Sequence, residues 1–125
     1  MPTSKDLLDA AKKVLKDNSP SEMNLATILK TGTDDVAAYA KAKAELRTSM
    51  TSMKGETKNL SDDIKNLTSG LSALQKVQPV MKAPADAKVY AEIVRDMTDK
   101  IKVLTKYAHD IDERVKTGER LKTSP

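Results

Sequence analysis

Apolar residues between positions 34 and 118 recur every three or four residues, in two runs separated by a proline-bounded turn at residues 79–84. One set in the first run falls at seven-residue intervals and is entirely apolar: Tyr39, Leu46, Met53, Leu60, Leu67 and Leu74. The second run has nine apolar positions in the same spacing: Ala87, Tyr90, Val94, Met97, Ile101, Leu104, Ala108, Ile111 and Val115. This spacing is typical of long helices that pair along one apolar seam. It predicts an all-α chain built around a long antiparallel coiled-coil hairpin over residues 33–118.

Two short amphipathic helices are predicted before the hairpin, within residues 1–32. The first covers about residues 4–17, with Thr3 as its N-terminal cap; its apolar face consists of Leu7, Leu8, Ala11, Val14 and Leu15. The second opens on Ser19-Pro20-Ser21-Glu22, a capping box with proline at the first helical position. Gly32 is predicted to end it. Helices this short are not stable alone, so each must dock on something, which predicts a three- or four-helix bundle-like fold.

Threonine and glycine positions predict the limits of the two long helices. Thr33 is the predicted cap of the first, and the seven-residue phase continues through Gly55 and Gly70 to about residue 78. Gly118 is the predicted end of the second long helix. Residues 119–125 are then expected to form a frayed tail.

The two apolar runs can be aligned, because antiparallel helices place their apolar layers opposite one another. Pairing residues whose numbers sum to 161 aligns every layer, so that Met50 faces Ile111 and Ile64 faces Met97. The same alignment brings two pairs of opposite charge together: Asp63 with Lys100, and Arg47 with Asp112. Exposed ion pairs add little stability but select a register.

An apolar flank remains beside the predicted seam. Val89, Ile93, Val103 and Tyr107 share one side of the last helix, and Ala73 and Val77 lie on the same side of its partner. A contiguous apolar strip requires an explanation that isolated exposed residues do not. In one interpretation the two short helices cover it. In the other it binds a partner, with these predicted contact residues: Val77, Val89, Ile93, Val103, Tyr107, Leu25 and Ile28.

Composition excludes several classes of chemistry. The chain has no Cys, so it has neither a disulfide framework nor a thiolate metal site. We find no catalytic, cofactor-binding or metal-binding constellation, and His109 has no partner that would complete a triad or a coordination shell. The net charge of +4 is interspersed along the chain rather than gathered on one face, which disfavours nucleic-acid binding.

No secretory signal or membrane-spanning run is recognisable. The pattern therefore predicts a soluble protein, either cytoplasmic or exported without a cleaved signal. The expected function is that of a non-enzymatic protein–protein interaction module, such as an adaptor, assembly component, secretion chaperone or secreted effector. Its partner is another protein or a second copy, as in a homodimer. The alternatives are an amphipathic bundle that binds a lipid or membrane surface, although the chain lacks Trp and Phe anchors, and a nucleic-acid-binding protein.

Overall fold

The computed structural model describes residues 3–42 and 46–123, with side chains described at positions 3–39 and 49–121. These residues form four α-helices and one short 3-10 helix, and they contain no strand. The helices are α1 (Ser4–Asp17), α2 (Glu22–Ala42), α3 (Leu46–Lys76) and α4 (Pro84–Thr123), with the 3-10 turn at Gln78–Val80. The predicted all-α class is confirmed for this part of the chain.

Helix α1 begins and ends where the sequence predicts. The backbone N–H of Asp6 donates to the Thr3 hydroxyl and the backbone N–H of Thr3 donates to the Asp6 carboxylate, both at 3.1 Å. This capping box satisfies two N–H groups that the first turn of a helix leaves without partners. At the other end, the Asn18 side-chain amide donates to the carbonyl of Val14 at 2.9 Å.

Helix α2 starts two residues later than predicted and continues well past Gly32. The hydroxyl that accepts a backbone N–H at its start belongs to Ser21, which bonds Asn24 at 3.3 Å, so Pro20 precedes the cap. The predicted stop at Gly32 and the predicted cap at Thr33 are wrong. The Thr33 hydroxyl instead donates to the carbonyl of Leu29 at 2.8 Å, an interaction made within a helix.

The long helices also differ from their predicted limits. Residues 34–42 belong to α2, and α3 begins at Leu46, while residues 43–45 lie outside the described residues. Helix α3 continues through both of its glycines, as the seven-residue phase predicts. Helix α4 continues past Gly118 to Thr123, so the predicted end at Gly118 is wrong. Residues 119–123 are helical and not part of a frayed tail. Residues 124 and 125 lie outside the described residues.

All four glycines lie inside helices. At three of them, a side chain of another helix contacts the backbone. A Cβ at Gly32 would overlap the sulfur of Met53, and one at Gly118 would overlap the sulfur of Met50. A Cβ at Gly70 would lie 2.8 Å from Cγ1 of Val14. These glycines therefore admit a neighbouring side chain rather than ending a helix, which is the reason that the predicted stops at Gly32 and Gly118 fail.

The chain divides into two compact units, and each is described by itself. Unit 1 comprises Met1–Ser19 and Asp62–Val103, so it contains α1, the second part of α3 and the first part of α4. Unit 2 comprises Pro20–Ser61 and Leu104–Pro125, so it contains α2, the first part of α3 and the remainder of α4. Each unit thus contains three helical segments.

The seam positions of each long helix form two sets, each with an interval of seven residues, and most buried residues belong to one of these sets. Residues at seven-residue intervals along α3 and α4 are buried: Met53, Leu60, Leu67 and Leu74 on α3, and Met97, Leu104 and Ile111 on α4. The intervening seam residues are mostly half-buried, among them Ile64, Leu71, Val94 and Ile101. Ala87, which the sequence also assigns to the seam, is exposed. The apolar pattern therefore identifies the buried face of each long helix.

Two contacts between α3 and α4 differ from the residue pairs of the predicted register. In unit 2, Met50 reaches the backbone of Gly118, seven residues beyond the predicted Ile111; in unit 1, a Cβ on Gly70 would lie 3.6 Å from the terminal methyl of Met97. The residue numbers in these contacts sum to 168 and 167 rather than 161.

Of the two ion pairs expected from that register, only one has both of its side chains described, and this pair does not form. Asp63 and Lys100 form no ion pair within the described residues, and Asp112 pairs with Lys116 at 3.2 Å. The side chain of Arg47 lies outside the described residues. Burial, followed by the charge of Asp62, raises the pKa of Asp63.

Candidate functional site

The predicted contact residues divide between the two units. Four of them belong to unit 1 (Val77, Val89, Ile93 and Val103) and three to unit 2 (Leu25, Ile28 and Tyr107). Leu25 and Ile93 are buried, with 1% and 4% of their surface exposed, and the other five are half-buried. A partner that binds the folded chain can therefore touch the half-buried members of this set but not Leu25 or Ile93.

Unit 1 has an open groove of about 150 Å³ between α1 and α3. Its lining is entirely apolar and consists of Leu7, Ala10, Ala11, Val14, Gly70, Ala73, Leu74 and Val77. We refer to it as the apolar groove. Leu74 and Ala11 are buried, whereas Ala10 and Ala73 are exposed. Of the predicted contact residues, only Val77 lines this groove.

Polar contacts at both ends of α1 help to fix the walls of the apolar groove. The Asn66 amide donates to the side-chain oxygen of Asn18 at 2.9 Å, and the Ser4 hydroxyl donates to the carbonyl of Val80 at 3.3 Å. Between them, Val14 packs on the backbone of Gly70. Helix α1 is therefore held at its N-terminal residue and along its C-terminal part.

Unit 2 has a second groove, between α2 and α3, formed by two adjoining cavities. One has a volume of about 480 Å³ and is lined by Thr27, Ile28, Thr31, Gly32, Asp35, Ser49 and Ser52. The other has a volume of about 430 Å³ and is lined by Pro20, Ser21, Asn24, Leu25, Thr27, Ile28 and Glu56. Because Thr27 and Ile28 line both cavities, we treat the two as one feature, the polar groove.

The polar groove contains two carboxylates. The hydroxyl of Ser49, which is buried, donates to the carboxylate of Asp35. Within the described residues, neither Asp35 nor Glu56 forms an ion pair. The neighbouring Asp34, by contrast, accepts a 2.7 Å hydrogen bond from Lys30 on the exposed surface, and this bond raises the pKa of Lys30.

Sequence reasoning missed the polar groove, although its pattern is visible in the chain. A helix capped at Thr33, as the sequence predicts, would place Asp35 in its first turn, where an acidic residue complements the helix dipole. On the continuous α2, however, the polar lining residues Thr27, Thr31 and Asp35 are spaced by four, and on α3 Ser49, Ser52 and Glu56 are spaced by three and four. Such spacing places each set on one helical face.

Other chemistry is not apparent in the part of the chain that the structure describes. No group of three His, Cys, Asp or Glu side chains there could hold a metal ion. Within the same residues, no helix has the length and apolar character required to cross a membrane. His109 is exposed on α4.

Comparison of the chain with protein-family models, with curated proteins and with solved structures gives no match.

Proposed function

We propose that this chain is a non-enzymatic protein–protein interaction module whose apolar groove receives an amphipathic helix of a partner protein. The observation that carries the proposal is the lining of that groove, in which all eight residues are apolar. Partner helices bind in such grooves through apolar residues spaced three or four positions apart. The small, exposed residues Ala10 and Ala73 favour close approach of a helix to the groove.

We also infer that each unit is a three-helix arrangement in which a shorter helix lies on antiparallel segments of α3 and α4. In unit 1 this is supported by Gly70, which has both Val14 of α1 and Met97 of α4 as neighbours. In unit 2 it is supported by Met53 against Gly32 and Met50 against Gly118. This arrangement favours the interpretation in which the short helices cover much of the predicted flank, and it makes the apolar groove the surface left for a partner.

The size of the apolar groove suits a single large anchor residue. An apolar cavity of about 150 Å³ can hold a benzene molecule, so a Phe or Leu side chain is an appropriate occupant. This chain contains no Phe and no Trp. A Phe or Trp anchor would therefore come from a different protein, whereas a second copy would have to use an aliphatic or a tyrosine side chain.

Site-directed photo-crosslinking tests the proposal. A photoreactive amino acid is introduced at Ala73, which lines the groove, and in a matched control at Ser72, the adjacent residue of α3; both are exposed. We expect a partner to be crosslinked from position 73 and not from position 72. The identified partner, once purified, should bind the wild-type chain and the Ser72→Glu variant but not the Ala73→Glu variant.

The outcomes separate the possible occupants. Far-ultraviolet circular dichroism confirms that both glutamate variants retain their helices. A crosslinked dimer of this chain, with a matching mass by light scattering, would identify a second copy as the partner. Equal crosslinking from both positions, or equal binding by both glutamate variants, would contradict the proposal.

A further inference from the structure

The polar groove of unit 2 carries a carboxylate near each end. Asp35 lines one cavity of the groove, where it accepts a hydrogen bond from Ser49. Glu56 lines the adjoining cavity. Ser49 and Glu56 are seven residues apart on α3, which corresponds to about 10 Å along a helix. The two carboxylates therefore mark two separate acceptor positions in one elongated groove.

The lining between these carboxylates is suited to a ligand that is both cationic and aliphatic. Thr31 and Ser52 contribute hydroxyl groups, whose oxygens can accept N–H donors. Ile28, which is half-buried, lines both cavities and provides an apolar surface for methylene groups. No Lys or Arg is among the described lining residues.

Three cationic side chains of unit 2 are engaged with groups that do not line the polar groove. Lys30 bonds Asp34, and Lys54 pairs with Glu119. The guanidinium Nε of Arg114 donates to the Thr33 hydroxyl at 3.1 Å. These three cations are therefore held by partners other than Asp35 and Glu56.

We propose that the polar groove binds an extended aliphatic polyamine, with one ammonium group at Asp35, another at Glu56, and its methylene chain against Ile28. The cavity volumes of about 480 and 430 Å³ lie in the range of small-molecule sites. Charge-assisted hydrogen bonds to the two carboxylates set the preferred length of the ligand. This site is independent of the apolar groove and of the protein partner proposed for it.

Isothermal titration calorimetry with spermidine tests the inference on the full chain at physiological salt. We expect saturable one-to-one binding that weakens about tenfold or more in Asp35→Asn and in Glu56→Gln, because each removes the negative charge that strengthens a hydrogen bond from an ammonium group. The matched controls are Asp34→Asn, next in sequence to Asp35 and already paired with Lys30, and Glu92→Gln, an exposed residue of unit 1. Both controls should leave the affinity nearly unchanged, since exposed charges are screened by salt.

Additional probes distinguish a built site from general attraction to acidic side chains. Butylamine, with one ammonium group, and octanediol, which is neutral, should both bind much more weakly than spermidine. Circular dichroism verifies folding; if Asp35→Asn loses helicity because an amide is a weaker acceptor for the Ser49 hydroxyl, Glu56→Gln alone provides the readout.

Four results would overturn the inference. These are the absence of saturable spermidine binding, equal loss of affinity in the control variants, equal binding of octanediol, and unchanged affinity in Glu56→Gln. A lysine-containing peptide that binds in the same variant-dependent way while spermidine does not would assign the groove to a basic peptide segment instead.

Discussion

Replacing Gly32 with alanine should destabilise the protein, although the same substitution at Gly55 should stabilise it. Alanine in a helix interior is favoured over glycine by about 1 kcal/mol. At Gly55 no atom lies within 4 Å of the position that a Cβ would occupy, so the full gain is expected. At Gly32 the new methyl would overlap the Met53 sulfur and would also lie 3.0 Å from Cε and 3.3 Å from Cγ of the same side chain. Rotation of the terminal methyl alone cannot relieve all three contacts.

The expected magnitudes follow from these distances. Overpacking a well-packed core costs about 1–3 kcal/mol, so Gly32→Ala should lower the free energy of unfolding by up to about 2 kcal/mol after the helix gain is included. Urea unfolding followed by circular dichroism measures both variants. In a Met53→Ala background the overlap disappears, and Gly32→Ala should then stabilise the protein as Gly55→Ala does. The reasoning is refuted if Gly32→Ala stabilises the wild-type protein as much as Gly55→Ala, or if its effect is unchanged in the Met53→Ala background.

Four further substitutions test the core, the end of α1 and a carboxylate. Leu67→Ala should cost about 2–5 kcal/mol because Leu67 is fully buried, whereas Ile101→Ala should cost less because Ile101 is half-buried. Asn18→Ala should cost about 1 kcal/mol, through loss of its hydrogen bonds to Val14 and Asn66; an unchanged unfolding midpoint would contradict this. Asp63→Asn should raise the free energy of unfolding at neutral pH and not in acid.

The sign of the Asp63 prediction follows from linkage. A carboxyl whose pKa is raised in the folded state is more compatible with folding when it is protonated. The contribution of Asp63 to the free energy of unfolding is therefore most favourable below its unfolded-state pKa, and it is lost as the pH rises through its folded-state pKa. Removing the charge should therefore help only above that range. Unfolding curves across the acidic and neutral range, with exposed Asp99→Asn as the control, check it. A gain in Asp63→Asn that is independent of pH would contradict the assigned cause.

The seven-residue pattern predicted the buried faces of the long helices but not their register. Local spacing determines which residues of α3 and α4 face a partner, and Leu60, Leu67 and Leu104 are buried as that spacing requires. A repeat of seven residues, however, aligns its layers equally well after a shift of seven. Only contacts between helices, such as Met50 against Gly118, distinguish these alignments.

Helix ends and grooves were harder to predict because they depend on neighbours that the local sequence does not specify. Glycine is common after a helix end and also occurs where another side chain approaches the backbone. Gly32 and Gly118 are of the second kind, which becomes visible only when Met53 and Met50 are in place. The apolar groove likewise depends on where α1 lies along α3. Of its lining residues, Val77 and Ala73 had been recognised as part of an apolar flank.

The division of α3 and α4 between two units has a consequence for how the chain folds during synthesis. Unit 1 has all of its residues once Val103 has been made, whereas unit 2 still lacks its segment of α4, which begins at Leu104. At about 5–20 residues per second, the twenty residues from Leu104 to Thr123 take about 1–4 s to synthesise. During that interval the α4 residue that Met50 contacts, Gly118, is not yet in place. Unit 1 can therefore begin to fold while unit 2 still lacks one of its three α-helical segments.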